Sequence, residues 1–477
     1  MNRAARLVLP RTDLPLIGVG MVLTALLALA ALQIGETVSL AGILLLTAFF
    51  TLVTVFVVAP HIAVACTIPL FALIPTLKVL VFPWIGPVKD LVTFAAICAA
   101  VVLVVQRSSQ GRAQLGDFWI VTGAAVLGVL YLVNAGGVEW NIAWSHGVRL
   151  ALEPLALLLV GLTLSDPRRT LRWAMASLVV TATFVALVGI VQQALGMWRL
   201  NDLGYIFDYH LRTFHGRFRS FGTLDEPFAY AAFLLLGFAG LVMWFRRGIL
   251  AAAAGTIILT GLAFSYVRTA IIVMLALLGL WIARKNYAAT SVFLVAVAVV
   301  AAIGILAASS NATESRTVRT GSSTFLTVNG RTEAWGLFLG DPEVWVLGHG
   351  VGEVGTAAER ATYTISQDVD DVSGQKAVDS GYFALIADVG LLGLVAMLAI
   401  FGRLIGRATE FARQGVASGW LVLTFVAVLM IDAVTRASFT GFPTAFIAML
   451  LTGISIGAAL EGAASADGGR PSLRRSS

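Results

Sequence analysis

The feature that most constrains this chain is a series of apolar stretches, each close in length to a helix that crosses a lipid bilayer. Such a helix needs about 20 predominantly apolar residues. Roughly fourteen stretches reach or approach that length. They lie near residues 14–33, 38–58, 61–76, 88–105, 117–133, 148–164, 173–196, 227–245, 249–266, 269–283, 288–308, 379–402, 417–435 and 440–459. The chain is 58% apolar and 12% charged, whereas a soluble domain is about 45–50% apolar and about 25% charged. The sequence therefore predicts an all-α polytopic membrane protein and excludes soluble or disordered chains.

Two of these stretches are weaker than the others, so we expect about 12–14 transmembrane helices. The stretch at 61–76 contains Pro69 and Pro75, and the stretch at 269–283 is short. The first stretch lacks the small-residue exit site of a cleaved signal peptide and leads directly into a second stretch. We therefore expect it to be retained as a span.

The positions of the positive residues predict the orientation of the helices, because cytoplasmic loops collect lysine and arginine. With a cytoplasmic N-terminus, 18 of the 32 lysines and arginines fall in cytoplasmic segments: Arg3, Arg6, Arg11, Arg107, Arg112, Arg168, Arg169, Arg172, Arg246, Arg247, Arg284, Lys285, Arg403, Arg407, Arg413, Arg470, Arg474 and Arg475. We predict that both termini and a 403–416 loop are cytoplasmic. The net charge of +6 then reflects membrane topology, and no nucleic-acid partner is expected.

Two predicted outer segments are much longer than the other connections. They run from Met197 to Glu226 and from Ser309 to Val378, and loops longer than about 12–15 residues are usually functional or disordered. The first is rich in aromatic and basic residues, which is not typical of disorder. The second contains an expected amphipathic helix at Thr332–Leu339, which ends at Gly340–Asp341–Pro342. We therefore expect the functional site at the outer face.

Arginines in or beside these long segments are candidates for substrate contact: Arg219, Arg268 and Arg331 for binding phosphate, and Arg217 as a residue of the substrate loop. Arginine presents a planar, permanently charged fork that matches phosphate oxygens. Three such groups at the membrane surface suit a diphosphate whose lipid tail stays in the bilayer. Simpler explanations exist for each, since Arg268 can snorkel from a helix end, Arg219 can stack on aromatic rings and Arg331 can contact lipid headgroups.

Four titratable side chains near the same face are candidates for proton transfer or substrate contact: Asp379, His349, Asp225 and Glu226. Asp379 can instead cap its helix, and His349 can instead be a turn residue between glycines. The acidic run 368–371 resembles a metal-binding pattern, but a solvated loop is the favoured interpretation. No metal is therefore predicted.

Several charged residues inside the predicted spans are expected to pair. Arg149 and Glu153 are four residues apart on one helix, and so are Asp432 and Arg436, which allows each pair to neutralise itself. Asp388 lies alone in an apolar run and needs a partner or water. We favour structural pairing over a proton relay for these residues.

Five short segments occur in a distinctive order along the chain. They are Arg-Ser-Phe-Gly-Thr-Leu-Asp-Glu-Pro at 219–227, Ser-Tyr-Val-Arg-Thr-Ala at 265–270, Gly-Arg-Thr-Glu-Ala-Trp at 330–335, Leu-Gly-His-Gly-Val-Gly at 347–352 and Asp-Ser-Gly-Tyr-Phe-Ala-Leu-Ile-Ala-Asp-Val-Gly-Leu-Leu-Gly-Leu at 379–394. Together they resemble the O-antigen ligase and O-antigen polymerase family, which is also found among exopolysaccharide polymerases. The resemblance covers roughly residues 200–395.

Members of that family transfer a glycan from a polyprenyl diphosphate carrier to an acceptor sugar at the outer face of the inner membrane. They have a GT-C-type fold and use neither metal nor cofactor. The resemblance implies that Arg219, Arg268 and Arg331 bind the diphosphate. Ligases usually carry a His-Asn pair where this chain has Asp379 and Ser380, which favours a polymerase, or a ligase with a carboxylate base. The base is then Asp379 or His349.

We divide the chain into N-terminal transmembrane helices (1–196), a ligase- or polymerase-like core with both long loops (197–402), and C-terminal helices with a cytoplasmic tail (403–477). The expected partners are a lipid-linked glycan donor, a glycan acceptor and the bilayer, with other polysaccharide-assembly membrane proteins as candidates. The alternatives are a lipid-linked oligosaccharide flippase or polysaccharide exporter, and a non-catalytic scaffold. Transporters often contain inverted repeats with a mid-membrane site, and the sequence shows no repeat.

Overall fold

The computed structural model describes residues 37–109, 118–133, 142–205, 213–214, 217–224, 226–244, 248–285, 342–352 and 380–467. Thirteen α-helices lie in these residues: α1 (Thr37–Val58), α2 (Pro60–Leu80), α3 (Val88–Ser109), α4 (Phe118–Val133), α5 (Ile142–Thr163), α6 (Pro167–Asp202), α7 (Pro227–Trp244), α8 (Ile249–Phe264), α9 (Arg268–Lys285), α10 (Pro342–Leu347), α11 (Gly381–Arg413), α12 (Ala417–Asp432) and α13 (Thr444–Asp467). A 3-10 turn covers Pro83–Ile85. A small antiparallel hairpin pairs β1 (Thr213–Phe214) with β2 (Arg217–Phe218).

These helices are those of a multi-pass membrane protein. Seven of the described helices are long and apolar enough to cross a bilayer, and five shorter ones are also apolar. Each predicted span that falls in the described residues coincides with one of them, while the stretches at 14–33 and 288–308 lie outside the described residues. The prediction of an all-α polytopic architecture is confirmed at this level.

The two weakest predicted spans are both helical. α2 continues through Pro69 and Pro75 for 21 residues, which is tolerated in membrane helices because neighbouring groups can satisfy the freed backbone atoms. α9 has 18 residues and begins at Arg268. α10 begins at Pro342, where the sequence predicted the end of an earlier helix, and proline is favoured at the first position of a helix.

Two long helices contain a break in their backbone. In α6 the break is at Gly196, with a φ of 74°, and the predicted apolar stretch also ends at this residue. In α11 it falls at Val389 and Gly390, and Gly390 has a φ of 71°. Glycine adopts this left-handed conformation without the steric cost that a side chain would add.

α11 also extends further than the sequence predicted. The predicted span ends at residue 402 and was to be followed by a loop at 403–416, but the helix continues to Arg413. Charged residues such as Arg407 and Glu410 lower the hydropathy of this extension, yet they are good helix formers and form an i,i+3 ion pair. The loop prediction is therefore wrong for most of 403–416.

Contacts between helix ends define two faces of the helix bundle. The amide of Thr76, near the end of α2, donates to the carbonyl of Thr223 (3.2 Å), and the amide of Gly381 at the start of α11 donates to the carbonyl of Ala433 after α12 (2.8 Å). We call this side the loop face. On the opposite face Arg284 of α9 donates to the carbonyl oxygen of α7 residue Met243 (2.5 Å). The successive helices α7, α8 and α9 therefore alternate in direction, as successive membrane spans must.

Close helix packing in the bundle depends on small residues. α5 and α13 cross at Gly161 and Gly453, and a Cβ atom at Gly453 would overlap the carbonyl oxygen of Leu158. Small residues at helix contacts let backbones approach closely, which is a main source of helix association in membranes. The crossing of α5 and α13 therefore requires glycine at residue 453.

Candidate functional site

The segment Phe218–Leu224 is fastened to the loop-face end of α6 by one buried side chain. Gln192 accepts from the amides of Phe221 (3.1 Å) and Gly222 (2.8 Å), and its side-chain nitrogen donates to the carbonyl of Gly222 (2.6 Å). Gln192 is 2% exposed. Because both the oxygen and the nitrogen of this buried side-chain amide are hydrogen-bonded to the segment, they hold its backbone in one conformation.

The same segment is also bonded to α2 and α8. The Thr223 hydroxyl donates to the carbonyl of Ala72 (2.8 Å), and the Thr76 hydroxyl donates to the carbonyl of Thr223 (2.9 Å). The Ser220 amide donates to the carbonyl of Phe264, the last residue of α8 (2.9 Å). Three helices that are distant in sequence therefore meet at Phe218–Leu224.

Arg219 lies at the turn between α8 and α9. Its Nε atom donates to the carbonyl of Ser265 (3.1 Å), and its guanidinium carbon is 4.6 Å from the centre of the Phe228 ring. Arg219 is 8% exposed, and Tyr266 in the turn has a φ of 50°. The aromatic contact that the sequence offered as the simpler explanation is present, and it occurs together with a bond that directs Arg219 to this turn.

Arg268 is the first residue of α9, at the end of the same turn, and it is partly buried. The start of a helix presents unbonded amides and the positive end of the helix dipole, which favour an anion. Arg217 lies two residues before Arg219, in β2, and is exposed. The structure therefore brings Arg219 and the start of α9 together and leaves Arg217 at the surface.

Glu226, a predicted substrate residue, forms an ion pair. Its Oε2 atom is 3.6 Å from Arg436, which also lies 3.9 Å from Asp432. The Ser438 hydroxyl donates to the same Asp432 carboxylate. The predicted Asp432–Arg436 pair is confirmed, and Glu226, the residue before α7, joins it.

The start of α11 is fixed beside this group. The Ser380 hydroxyl and the Gly381 amide both donate to the carbonyl of Ala433, at 3.1 Å and 2.8 Å. Ser380 is 2% exposed. The α11 end that follows Asp379 in the sequence is therefore held close to the end of α12.

Three predicted site residues, Asp225, Arg331 and Asp379, lie outside the described residues. The expected helix at Thr332–Leu339 and the acidic run 368–371 lie outside them as well. Their roles remain predictions from the sequence.

His349 occupies a tight turn after α10. Its amide donates to the carbonyl of Ala387 in α11 (2.6 Å), and the flanking Gly348 and Gly350 have φ values of 78° and 111°. The interpretation of His349 as a turn residue between glycines is confirmed. The His349 side chain is half-buried. Its role as a general base stays a prediction from the sequence.

A second polar cluster on the loop face joins α3 to α5. Lys89 contacts Asp90 and lies 3.2 Å from Glu153, while Arg149 lies 3.2 Å from Asp90 and 3.9 Å from Glu153. The predicted Arg149–Glu153 pair is confirmed, but as part of a larger network. Two positive and two negative side chains make this network neutral overall.

Sequence reasoning missed two parts of this face. Lys89 was not among the predicted site residues, but it is 6% exposed and lies over the rings of Phe442 (5.6 Å) and Phe446 (5.3 Å). Gln192 and Gln193 were passed over within an apolar span. Two adjacent amide side chains near the end of a span were an available signal, because a polar group in an apolar helix needs partners.

No protein-family model matches this chain, and the curated proteins contain no match to it either.

Proposed function

We propose that this protein is a membrane glycosyltransferase that moves a glycan from a polyprenyl diphosphate carrier to a hydroxyl group of an acceptor sugar. We favour a polysaccharide polymerase over a ligase, acting in O-antigen or exopolysaccharide synthesis at the outer face of a bacterial inner membrane with a GT-C-like architecture. The observation that carries the proposal is the bond from Arg219 to Ser265, because it brings a buried arginine to the turn where Arg268 begins α9.

A diphosphate suits this turn for electrostatic reasons. Charge-assisted hydrogen bonds from guanidinium groups to phosphate are about twice as strong as neutral ones, and burial weakens the competition from water. The Phe228 ring and the Ser265 carbonyl fix the Arg219 side chain before any ligand binds. Since the turn lies at the end of two apolar helices, a bound diphosphate can keep its lipid tail in the bilayer.

Besides the arginines that bind the diphosphate, the proposed reaction needs one proton acceptor from the protein. The acceptor hydroxyl oxygen forms a bond to the anomeric carbon of the donor sugar, and the bond from that carbon to the diphosphate oxygen breaks. The electron pair goes to the diphosphate, whose charge the arginines stabilise. The hydroxyl proton goes to a general base, which we assign to Asp379, with His349 as the alternative.

The arginine assignment is tested by conservative substitution. Lysine keeps the positive charge but loses the planar fork, so Arg219→Lys and Arg268→Lys should each lower chain extension by about tenfold or more. The assay is glycan extension by purified protein in lipid nanodiscs supplied with a polyprenyl-diphosphate-linked glycan. Arg172→Lys is the matched control, because Arg172 is exposed at the opposite face near the start of α6. Full activity in both lysine variants would contradict the assignment.

The same preparation separates the proposal from transport. Protein reconstituted into sealed vesicles is given a fluorescent lipid-linked glycan, and both extended product and movement of the lipid between leaflets are measured. We expect extended product without accelerated movement. Accelerated movement without product would replace the proposed transferase with a flippase.

A further inference from the structure

The break in α11 coincides with the docking of the segment 346–352. A Cβ atom at Gly390 would overlap the carbonyl of Val346, and one at Gly352 would overlap the backbone of Ala143 in α5. The segment therefore lies between two helices with no space for side chains at either contact. When the segment 346–352 packs this closely against α5 and α11, the backbone groups that become buried need hydrogen-bond partners.

Asp388, two residues before Gly390, supplies such a partner. Its Oδ2 atom accepts from the Tyr131 hydroxyl of α4 at 3.3 Å, and its carboxylate lies beside the backbone amide of Gly352. Tyr131 is 1% exposed. The Asp388 carboxylate thus connects α4, α11 and the docked segment. Tyr131 is the partner that the sequence led us to expect for Asp388.

This junction borders the turn that bears His349 and lies on the helix that follows Asp379 in the sequence. The turn that bears His349 is bonded to Ala387, the residue before Asp388. The α11 helix that contains Asp388 begins at Gly381, directly after Asp379 and Ser380 in the sequence. An ionisable residue within a membrane span is costly to retain, and apolar contacts would serve a purely structural crossing at lower cost.

We infer that Asp388 is a positioning residue, which holds the His349 turn against α11 and so sets the geometry of the acceptor side of the site. The inference rests on the proposed function. The donor side is built independently, because the bonds of Gln192, Thr223 and Arg219 do not involve the junction. Loss of Asp388 should therefore impair use of the acceptor and spare binding of the donor.

The first measurement is a spin-label spectrum that does not depend on activity. Val346→Cys is labelled in a Cys66→Ala, Cys98→Ala background, because Val346 is exposed at the docked segment. Asp388→Ala removes the carboxylate that bonds Tyr131 and lies beside the Gly352 amide, so the label should become more mobile, and Tyr131→Phe should give a smaller change in the same direction. A label at Leu203→Cys, exposed at the loop-face end of α6, should not change.

The matched control is Tyr230→Phe. It makes the same chemical change as Tyr131→Phe in another buried tyrosine, and the Tyr230 hydroxyl has no hydrogen-bond partner among the described residues. Neither the spectrum at Val346→Cys nor the glycan-extension rate should respond to it.

The second measurement is steady-state kinetics with donor and acceptor varied separately. Asp388→Ala should lower kcat/KM for the acceptor by about tenfold and leave KM for the donor within about twofold. Tyr131→Phe gives a second test if Asp388→Ala does not fold. An unchanged label spectrum in both variants, or an equal loss for donor and acceptor, would overturn the inference. If the wild-type protein extends no glycan, the proposed function fails and the label spectra alone decide whether Asp388 holds the turn.

Discussion

The Nζ atom of Lys89 lies 3.2 Å from Oε2 of Glu153, and both side chains are less than 10% exposed. The two residues come from different helices, α3 and α5, so the pair ties these helices together near the loop face. Burying two charges costs solvation free energy on each side, and only the partner offsets that cost. Replacing one of the two residues should therefore lower the free energy of unfolding more than replacing both.

We expect Lys89→Met to lower the free energy of unfolding by about 3–5 kcal/mol, because Asp90 and the buried Glu153 are left to share the remaining positive side chain of this network, Arg149. Adding Glu153→Gln should restore more than half of the loss, since Asp90 and Arg149 still pair. Thermal unfolding of the detergent-solubilised protein measures both. Arg407→Met is the control, because the Arg407–Glu410 pair is on the surface of α11 and such pairs contribute about 0–1 kcal/mol. Equal losses for Lys89→Met and Arg407→Met would contradict the prediction.

The α5–α13 crossing predicts a second stability difference. Gly453→Ala should destabilise the protein by about 1–3 kcal/mol, because the added methyl group meets the backbone of α5. At Gly402 in α11 a Cβ atom meets nothing within 4 Å among the described residues, so Gly402→Ala should be neutral or slightly stabilising. Thermal unfolding compares the two, and the packing argument fails if Gly402→Ala is the more harmful change.

Membrane topology is tested by labelling from outside the cell. We expect a membrane-impermeant thiol reagent to label Ser323→Cys and not Ser472→Cys, since the positive residues place the long segment outside and the tail inside. Both variants need the Cys66→Ala, Cys98→Ala background, because the chain has two native cysteines. Permeabilised cells, in which both positions should react, provide the control. Labelling of the tail alone in intact cells would reverse the orientation.

The identity of the base is tested by comparing Asp379→Asn with His349→Gln. A general base acts in the chemical step, so its loss should lower kcat by about 100-fold or more and leave donor binding nearly intact. We expect this of Asp379→Asn, while His349→Gln should be milder because the backbone of His349, not its side chain, makes the bond to Ala387. Chain extension without added metal measures both. The opposite ranking would assign the base to His349, and a requirement for magnesium or manganese would contradict the metal-free mechanism.

Most of the fold could be predicted from the sequence, because membrane spans are set by length and hydropathy. α2 was predicted despite Pro69 and Pro75, since the run of apolar residues outweighs two residues that a membrane helix tolerates. The extension of α11 to Arg413 was missed because it leaves the apolar region while keeping helix-forming residues. The β1–β2 hairpin was missed because four paired residues give no periodic signal.

The candidate site was predictable only where its partners are close in sequence. The Arg149–Glu153 pair follows from the i,i+4 spacing on one helix, and the Asp432–Arg436 pair has the same spacing across the end of α12. The bonds from Gln192 to Gly222 and from Lys89 to Glu153 join different helices, so no spacing in the sequence indicates them. The bond from Arg219 to Ser265 likewise joins residues far apart in the sequence, so spacing does not indicate it either.

The bonds of Phe218–Leu224 to α2, α6 and α8 have a mechanical consequence. Alternating access in transporters works by rocking one group of helices against another around the substrate. Here Thr76, Gln192 and Ser220 connect the ends of three helices to one stretch of backbone, so rocking α2 against α6 would break several buried hydrogen bonds at once. The glycan transfer that we propose needs no such movement, because the helices around a bound diphosphate could stay fixed throughout the reaction.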